Sequence, residues 1–175
     1  VTDELLQGVL PAEQTIESMQ AANRLYMVNY NFLEGIIGTA PDHVWVVPII
    51  LLMVDDEQDT VPIAVQLQQQ PSDKNPVFTP RDDPGCWQLV KWYCQSADGA
   101  LHQSVSHLLC THLIMETVFV AARRNLAERH PVHELLDAHF WFTVLIDTSA
   151  RKTHMVPTGQ LPILYPQGYE GMKQL

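Results

Sequence analysis

The hydrophobic pattern of the chain divides it into a short strand-rich part and a longer helical part. Val44 to Val54 is an almost unbroken apolar run rich in Val, Ile and Leu, and it predicts a strand. Val61 to Gln68 alternates. Ile63, Val65 and Leu67 fall on one side and Ala64, Gln66 and Gln68 on the other, which predicts one face on a core and one toward solvent. The acidic stretch Asp55–Asp59 between them reads as a hairpin connection. It lacks the ligand spacing and central glycine of an EF-hand, so a solvated turn is the better reading than a calcium loop.

Residues 1–20 carry few signals beyond a possible helix after Pro11, and residues 25–37 have mixed apolar content ending in a loop at Gly35 and Gly38. Four prolines between Pro71 and Gly85 mark a loop. Beyond it Trp87–Ser96 reads as a helix, and Leu101–Leu126 as a long, largely apolar and therefore buried one. Pro131 is suited to the first turn of the next helix. The tail after Val156, with Pro157, Pro162 and Pro166, is not read as helical.

Composition narrows the function classes. A chain of 175 residues with 46% hydrophobic and 17% charged residues can bury a core and is not a disordered segment. Its formal net charge of -10 argues against a nucleic-acid partner, since phosphate binding needs clustered Lys and Arg. The cysteines, Cys86, Cys94 and Cys110, are odd in number and form no CxxC. Reduced thiols and a cytoplasmic setting follow more readily than a disulfide framework or a cysteine zinc site. Val1–Gln20 is acidic and has no apolar run of the kind a signal peptide needs, and Val44–Val54 is too short to cross a bilayer. The chain opens on Val1 and not on Met, so it is expected to begin inside its reading frame.

The histidines carry the chemistry. Seven of the eight lie in the second half, and His102, His107 and His112 are spaced by five. In a regular α-helix five residues rotate a side chain roughly 140° beyond a full turn, so these rings would diverge. A π-type turn, with hydrogen bonds from i to i+5, removes most of that offset and lets them converge. Histidines satisfied inside a core and a metal site both remain open on spacing alone. Imidazole suits iron, zinc, copper or nickel, and two His with one carboxylate is a non-haem Fe(II) pattern. Glu116, four residues after His112, could approach the same face, but a salt bridge or an outer supporting contact fits it better than direct ligation.

The stretch Leu101–Glu116 resembles the iron-binding helix of the lipoxygenase family, and the spacing His-x4-His-x4-His-x17-His-x8-His, from His102 to His139, follows that family. Val61–Leu67, Asn75–Phe78, Trp87–Trp92 and Ile146–Arg151 look like the corresponding family segments, so the resemblance spans about Leu25–Arg151. It implies that His107 and His112 are iron ligands, while His102, His130 and His139 belong to the pattern without ligating. It also implies that Gln103 lies near substrate and the ligand network, that Leu108 positions the reacting pentadiene, and that Ala150 occupies the Ala-or-Gly position of stereocontrol, with an S-hydroperoxide as product. Asp147 stands where the family usually has Asn, and Cys110 where a basic or polar residue is common.

The fold implied is mainly α. It is part of the helical lipoxygenase catalytic domain, with a small β-hairpin or sheet near residues 44–68 and a long central helix near residues 101–126. Residues 1–175 are then a partial catalytic domain. The rest of the iron shell, a third His, an Asn or similar residue and a C-terminal Ile carboxylate, is expected outside this chain. The activity implied is dioxygenation of a polyunsaturated fatty acid by non-haem Fe, one ion per full-length chain, with O2 as co-substrate. Peripheral membrane association through a separate N-terminal domain is a further expectation. The alternatives are a non-catalytic lipid-binding relic of the fold and an unrelated His-rich zinc protein.

Overall fold

The structure, a computed structural model, describes residues 1–36, 38, 40 and 42–175. It divides into two compact units, residues 1–35 with 45–97, and residues 36–44 with 98–175.

The first unit is a sheet with helices on both faces. Helix α1 (Asp3–Leu6) starts at Thr2, whose hydroxyl accepts from the Leu5 N–H at 3.3 Å. Helix α2 (Ile16–Ala21) starts at Thr15, which forms a reciprocal capping box with Ser18. Strands β1 (Leu25–Asn29), β2 (Ile49–Val54), β3 (Thr60–Gln66) and β4 (Val77–Phe78) form one antiparallel sheet in that order. The expected hairpin is present as β2–β3. Its turn closes by the Asp55 N–H donating to the Asp59 carbonyl at 2.9 Å, with Gln58 at φ 69°. The apolar run from Val44 does not pair along its whole length; only its second half is strand.

The predicted alternation of β3 fails for a local reason. Leu51 pairs with Ala64 but Leu52 pairs with Pro62, so Ile63 is bulged out of the ladder. Pro62 has no N–H to donate, and bulges are where strands accommodate such a residue. Ile63 and Ala64 consequently join one cluster with Leu6, Leu10 and Met19 from the α1–α2 side. Val65 joins another with Val90 and Cys94 of helix α3 (Pro84–Leu101). Both faces of β3 are thus covered, and Ala64 is buried rather than solvated.

The second unit holds the histidines. Residues His102–Leu113 form a π-helix of twelve residues, followed by α4 (Ile114–Asn125), α5 (Pro131–His139), α6 (Thr143–Thr153), α7 (Gln160–Leu164) and α8 (Gly168–Met172). Its last turn shows the wide spacing directly, the Ile114 N–H reaching the Leu109 carbonyl five residues back. Helix α5 begins as expected, with Pro131 in the first turn and the His130 ring accepting from the Val132 N–H at 3.1 Å. Phe119 on α4 meets Phe140 edge to face at 5.4 Å, and Arg123 pairs with Asp137. The tail is more regular than its prolines suggested, since α7 and α8 both lie in it.

The helix expected to be buried over 101–126 is not. Leu108 is the buried apolar residue of the π segment, α4 buries none of its residues, and Leu109, Ile114 and Val118 are exposed. Among the described residues α5 and α6 meet only part of the α4 surface. The helical run Pro84–Asn125 contains a window long and apolar enough by composition to cross a membrane. Only 6% of that window is buried, and the helical run also carries His102, His107 and His112.

Candidate metal centre

The π-helix does what regular helical geometry could not. His107 and His112, five residues apart, bring their Nε2 atoms within 3.0 Å of each other, with the rings edge to face and centroids 4.7 Å apart. His102 stacks on His107, with centroids 5.7 Å apart and the planes only 9° from parallel.

The outer nitrogen of His107 is tied down. Its Nδ1 lies 2.9 Å from Gln103 Oε1, one helical step before it. A carboxamide oxygen can only accept, so Nδ1 carries the proton and Nε2 presents its lone pair toward His112. Metal-binding histidines commonly have this arrangement, in which the second ring nitrogen donates to an oxygen and fixes the tautomer.

His112 faces the opposite way. Its Nδ1 is 3.5 Å from Oδ1 of Asp147 on α6, whose side chain is completely buried. Beside them Arg151 grips Glu116 with two hydrogen bonds, Nη1 to Oε2 at 2.7 Å and Nη2 to Oε1 at 3.1 Å. Those bonds hold the Glu116 carboxyl below its ordinary pKa. Glu116 is therefore a salt-bridge partner, as its spacing favoured. Burial pushes the Asp147 carboxyl upward, and the charge of Glu116 adds to this; His112 and Arg151 oppose it.

The two imidazoles pass a geometric test for sharing an ion. Nitrogen–metal bonds of about 2.1 Å at right angles separate two ligand nitrogens by about 3.0 Å (2.1 × √2), which matches the observed separation. Without an ion, the same distance suits one nitrogen donating a proton to the other. Among the described residues no group of three His, Cys, Asp or Glu is arranged to hold a metal. This unit therefore offers two cis positions and not a closed shell.

Both imidazoles open onto a cavity of about 400 Å³, whose lining includes Gln103, Leu108, Ile146, Ala150 and Leu164. The structure thus brings together all five positions singled out in the sequence: Gln103, His107, Leu108, His112 and Ala150. Leu108 and Ala150 are buried. His130 and His139 stand apart and serve the helices, His130 as the N-cap of α5 and His139 through its ring Nδ1 at 2.7 Å from the Leu135 carbonyl oxygen. Sequence reasoning missed His154, Gln160 and Tyr165, which also line the cavity. They lie on or near the proline-rich tail, and no periodic pattern marks them. Asp147 was noted only as a departure from the family, although charge inside an apolar helix was a signal available in the sequence.

Comparison with known proteins identifies the family. The lipoxygenase family model matches residues 1–169, well beyond the Leu25–Arg151 resemblance. The polyunsaturated fatty acid lipoxygenase ALOX15B of Rattus norvegicus is 32% identical over 161 residues, 90% of this chain and 24% of that protein. The hydroperoxide isomerase ALOXE3 of Homo sapiens is 28% identical over 98% of the chain and 25% of its own length. Among solved structures, a calcium-dependent 11R-lipoxygenase superposes with a TM-score of 0.91 at 31% identity, covering 99% of this chain and 26% of that one. Coral 8R-lipoxygenase gives 0.88 at 30% identity, with 99% and 26% covered. The chain spans about a quarter of the length of the relatives it matches. With the family model covering nearly every residue and the histidine pair in place, the chain belongs to the lipoxygenase family.

Proposed function

We propose that residues 1–175 are part of a lipoxygenase catalytic domain, that His107 and His112 are two of the ligands to its non-haem iron, and that the full-length protein dioxygenates polyunsaturated fatty acids. The observation that carries this reading is the meeting of two Nε2 atoms at 3.0 Å on the wall of an apolar cavity.

The chain's own residues would act as follows. His107 and His112 hold the ion through neutral Nε2 atoms, with Gln103 keeping the His107 proton on Nδ1. Once bound, iron would supply the one-electron chemistry that removes hydrogen from a bisallylic carbon and commits the resulting radical to O2. Leu108, Ile146, Leu161 and Leu164 give the acyl chain a dry wall, which keeps water away from the radical. The small side chain of Ala150 leaves room on one side of the pentadiene, and we assign the S-hydroperoxide to it. The remaining ligands come from other parts of the full-length protein, because two imidazoles alone do not enforce the geometry of a non-haem iron site.

The test uses the full-length protein. Iron content is measured, and conjugated-diene formation from linoleate or arachidonate is followed under O2. One iron per chain with turnover that disappears in His107→Ala and His112→Ala supports the reading. Zinc in place of iron, or no metal and no turnover, overturns it.

A further inference from the structure

Asp147 is an ionisable residue in the interior of the second unit, flanked by His112 and by Glu116. Its relative exposure is 0%. Neither carboxylate oxygen meets a hydrogen-bond donor among the described residues. An unpaired carboxylate in such a place is costly, so a native structure is expected to hold it against a donor. It faces the Glu116 carboxyl and the Nδ1 of His112, the latter at 3.5 Å, and of the two the ring is the one that can present an N–H. That separation is a few tenths of an ångström beyond a formed N–H···O bond.

The surroundings favour this pairing. Arg151, the cation nearby, has its guanidinium turned onto both oxygens of Glu116. It is therefore committed to a different carboxylate. On the other side of the His112 ring, Nε2 meets His107 Nε2. The ring thus bridges Asp147 and the histidine pair, in the way that Gln103 supports His107 from outside.

We propose that Asp147 is a positioning residue for His112: it accepts the Nδ1–H of that ring and so directs the Nε2 lone pair at the point where the two imidazoles converge. The pair would then be supported by two different acceptors, a carboxamide oxygen on His107 and a carboxyl oxygen on His112. A carboxylate partner makes the imidazole a stronger donor to a cation and fixes the ring's orientation. The proposal rests on the metal-centre reading above for its purpose, but not for its geometry.

Proton placement can be read without metal. The full-length protein, stripped of metal, is labelled with 15N-histidine, and long-range 1H–15N spectra show which nitrogens of His112 bear protons. The expected result is a protonated Nδ1 in the wild-type protein, beside whatever proton Nε2 shares with His107 while no ion separates the two rings. In Asp147→Leu, an apolar side chain of similar size, Nδ1 is expected to be bare and Nε2 to carry the proton, donated to His107. His107 itself, tied to Gln103, keeps its proton on Nδ1 in both. A bare His112 Nδ1 in the wild type overturns the proposal even if the variant fails to fold. An unchanged His112 pattern in a folded Asp147→Leu chain overturns it as well.

Iron affinity of the full-length protein gives an independent readout, expected to fall roughly 10- to 100-fold in Asp147→Leu, the range seen when such outer partners are removed. Equal affinity in the two proteins counts against the proposal. Full-length wild-type protein that takes no iron would sink the metal-centre reading, and the proton positions would still decide the role of Asp147.

Discussion

Gly159 ends the turn between α6 and α7, and replacing it with alanine isolates one physical effect. Its φ of -78° is open to any residue, so alanine meets no backbone strain there. Space is the obstacle. A Cβ would lie 2.5 Å from the His154 carbonyl oxygen and 2.8 Å from that of Thr153, both backbone atoms. Ordinary contact begins at 3.4 Å, so the His154 carbonyl would have to retreat by about 0.9 Å (3.4 − 2.5). The same carbonyl accepts from the Leu161 N–H at 3.2 Å, which holds the start of α7 against the end of α6.

Crowding of this kind costs about 1–3 kcal/mol and a disturbed hydrogen bond about 1 kcal/mol more. The stiffer unfolded chain returns about 0.4–1 kcal/mol. Gly159→Ala should therefore destabilise by about 1–3.5 kcal/mol, which for a chain of this size lowers Tm by roughly 2–14 °C. Gly35→Ala is the control. Gly35 has φ 89° and nothing within 4 Å of a Cβ, so only backbone strain applies. Its cost should be about 1–2 kcal/mol. Thermal and urea unfolding followed by circular dichroism measure both. A Gly159→Ala chain within about 0.5 kcal/mol of wild type, the scatter of neutral surface changes, would refute the crowding argument.

Three more outcomes are expected. Ala150→Gly in the full-length enzyme should shift the hydroperoxide from S toward R by freeing space beside the pentadiene; chiral chromatography of the product reads this, and an unchanged S product refutes it. The 175-residue chain alone, reconstituted with Fe(II), should give no more than trace conjugated diene from linoleate, because it contributes two imidazoles to the ion; robust iron-dependent turnover would contradict that. Burial pushes the Cys94 thiol from 9.0 up to about 11, so at pH 8 it holds about 100-fold less thiolate than a thiol at 9.0. A thiol reagent at pH 8 should therefore modify exposed Cys110 and spare Cys94 until denaturant is added, with Cys94 labelling rising toward pH 11; fast labelling of Cys94 in the native chain at pH 8 would refute its burial.

Local chemistry was legible wherever one residue could dictate it. Pro131 and His130 announced the start of α5, and Asp55–Asp59 the hairpin turn. The five-residue histidine spacing left a regular helix with diverging rings and a widened helix both open, and the segment is the widened one. The missed features need partners distant in sequence. Strand β1 has no clear alternation and becomes a strand through pairing with β2, and β4 emerges from a proline-rich loop by pairing two residues with β3. The bulge at Ile63 cancels the alternation on which the one-sided reading of β3 relied.

What the sequence by itself determined is that His107 and His112 lie five apart on one helix, so that their meeting depends only on the local winding of that helix. Tertiary structure decided what surrounds them. Asp147 is 35 residues from His112 (147 − 112) and Ala150 is 43 from His107 (150 − 107), and only the packing of α6 against the π segment sets them beside the histidines. The burial of Asp147, its approach to His112 and the cavity wall all follow from that contact. Burial is a property of what lies opposite a side chain, which no local pattern contains.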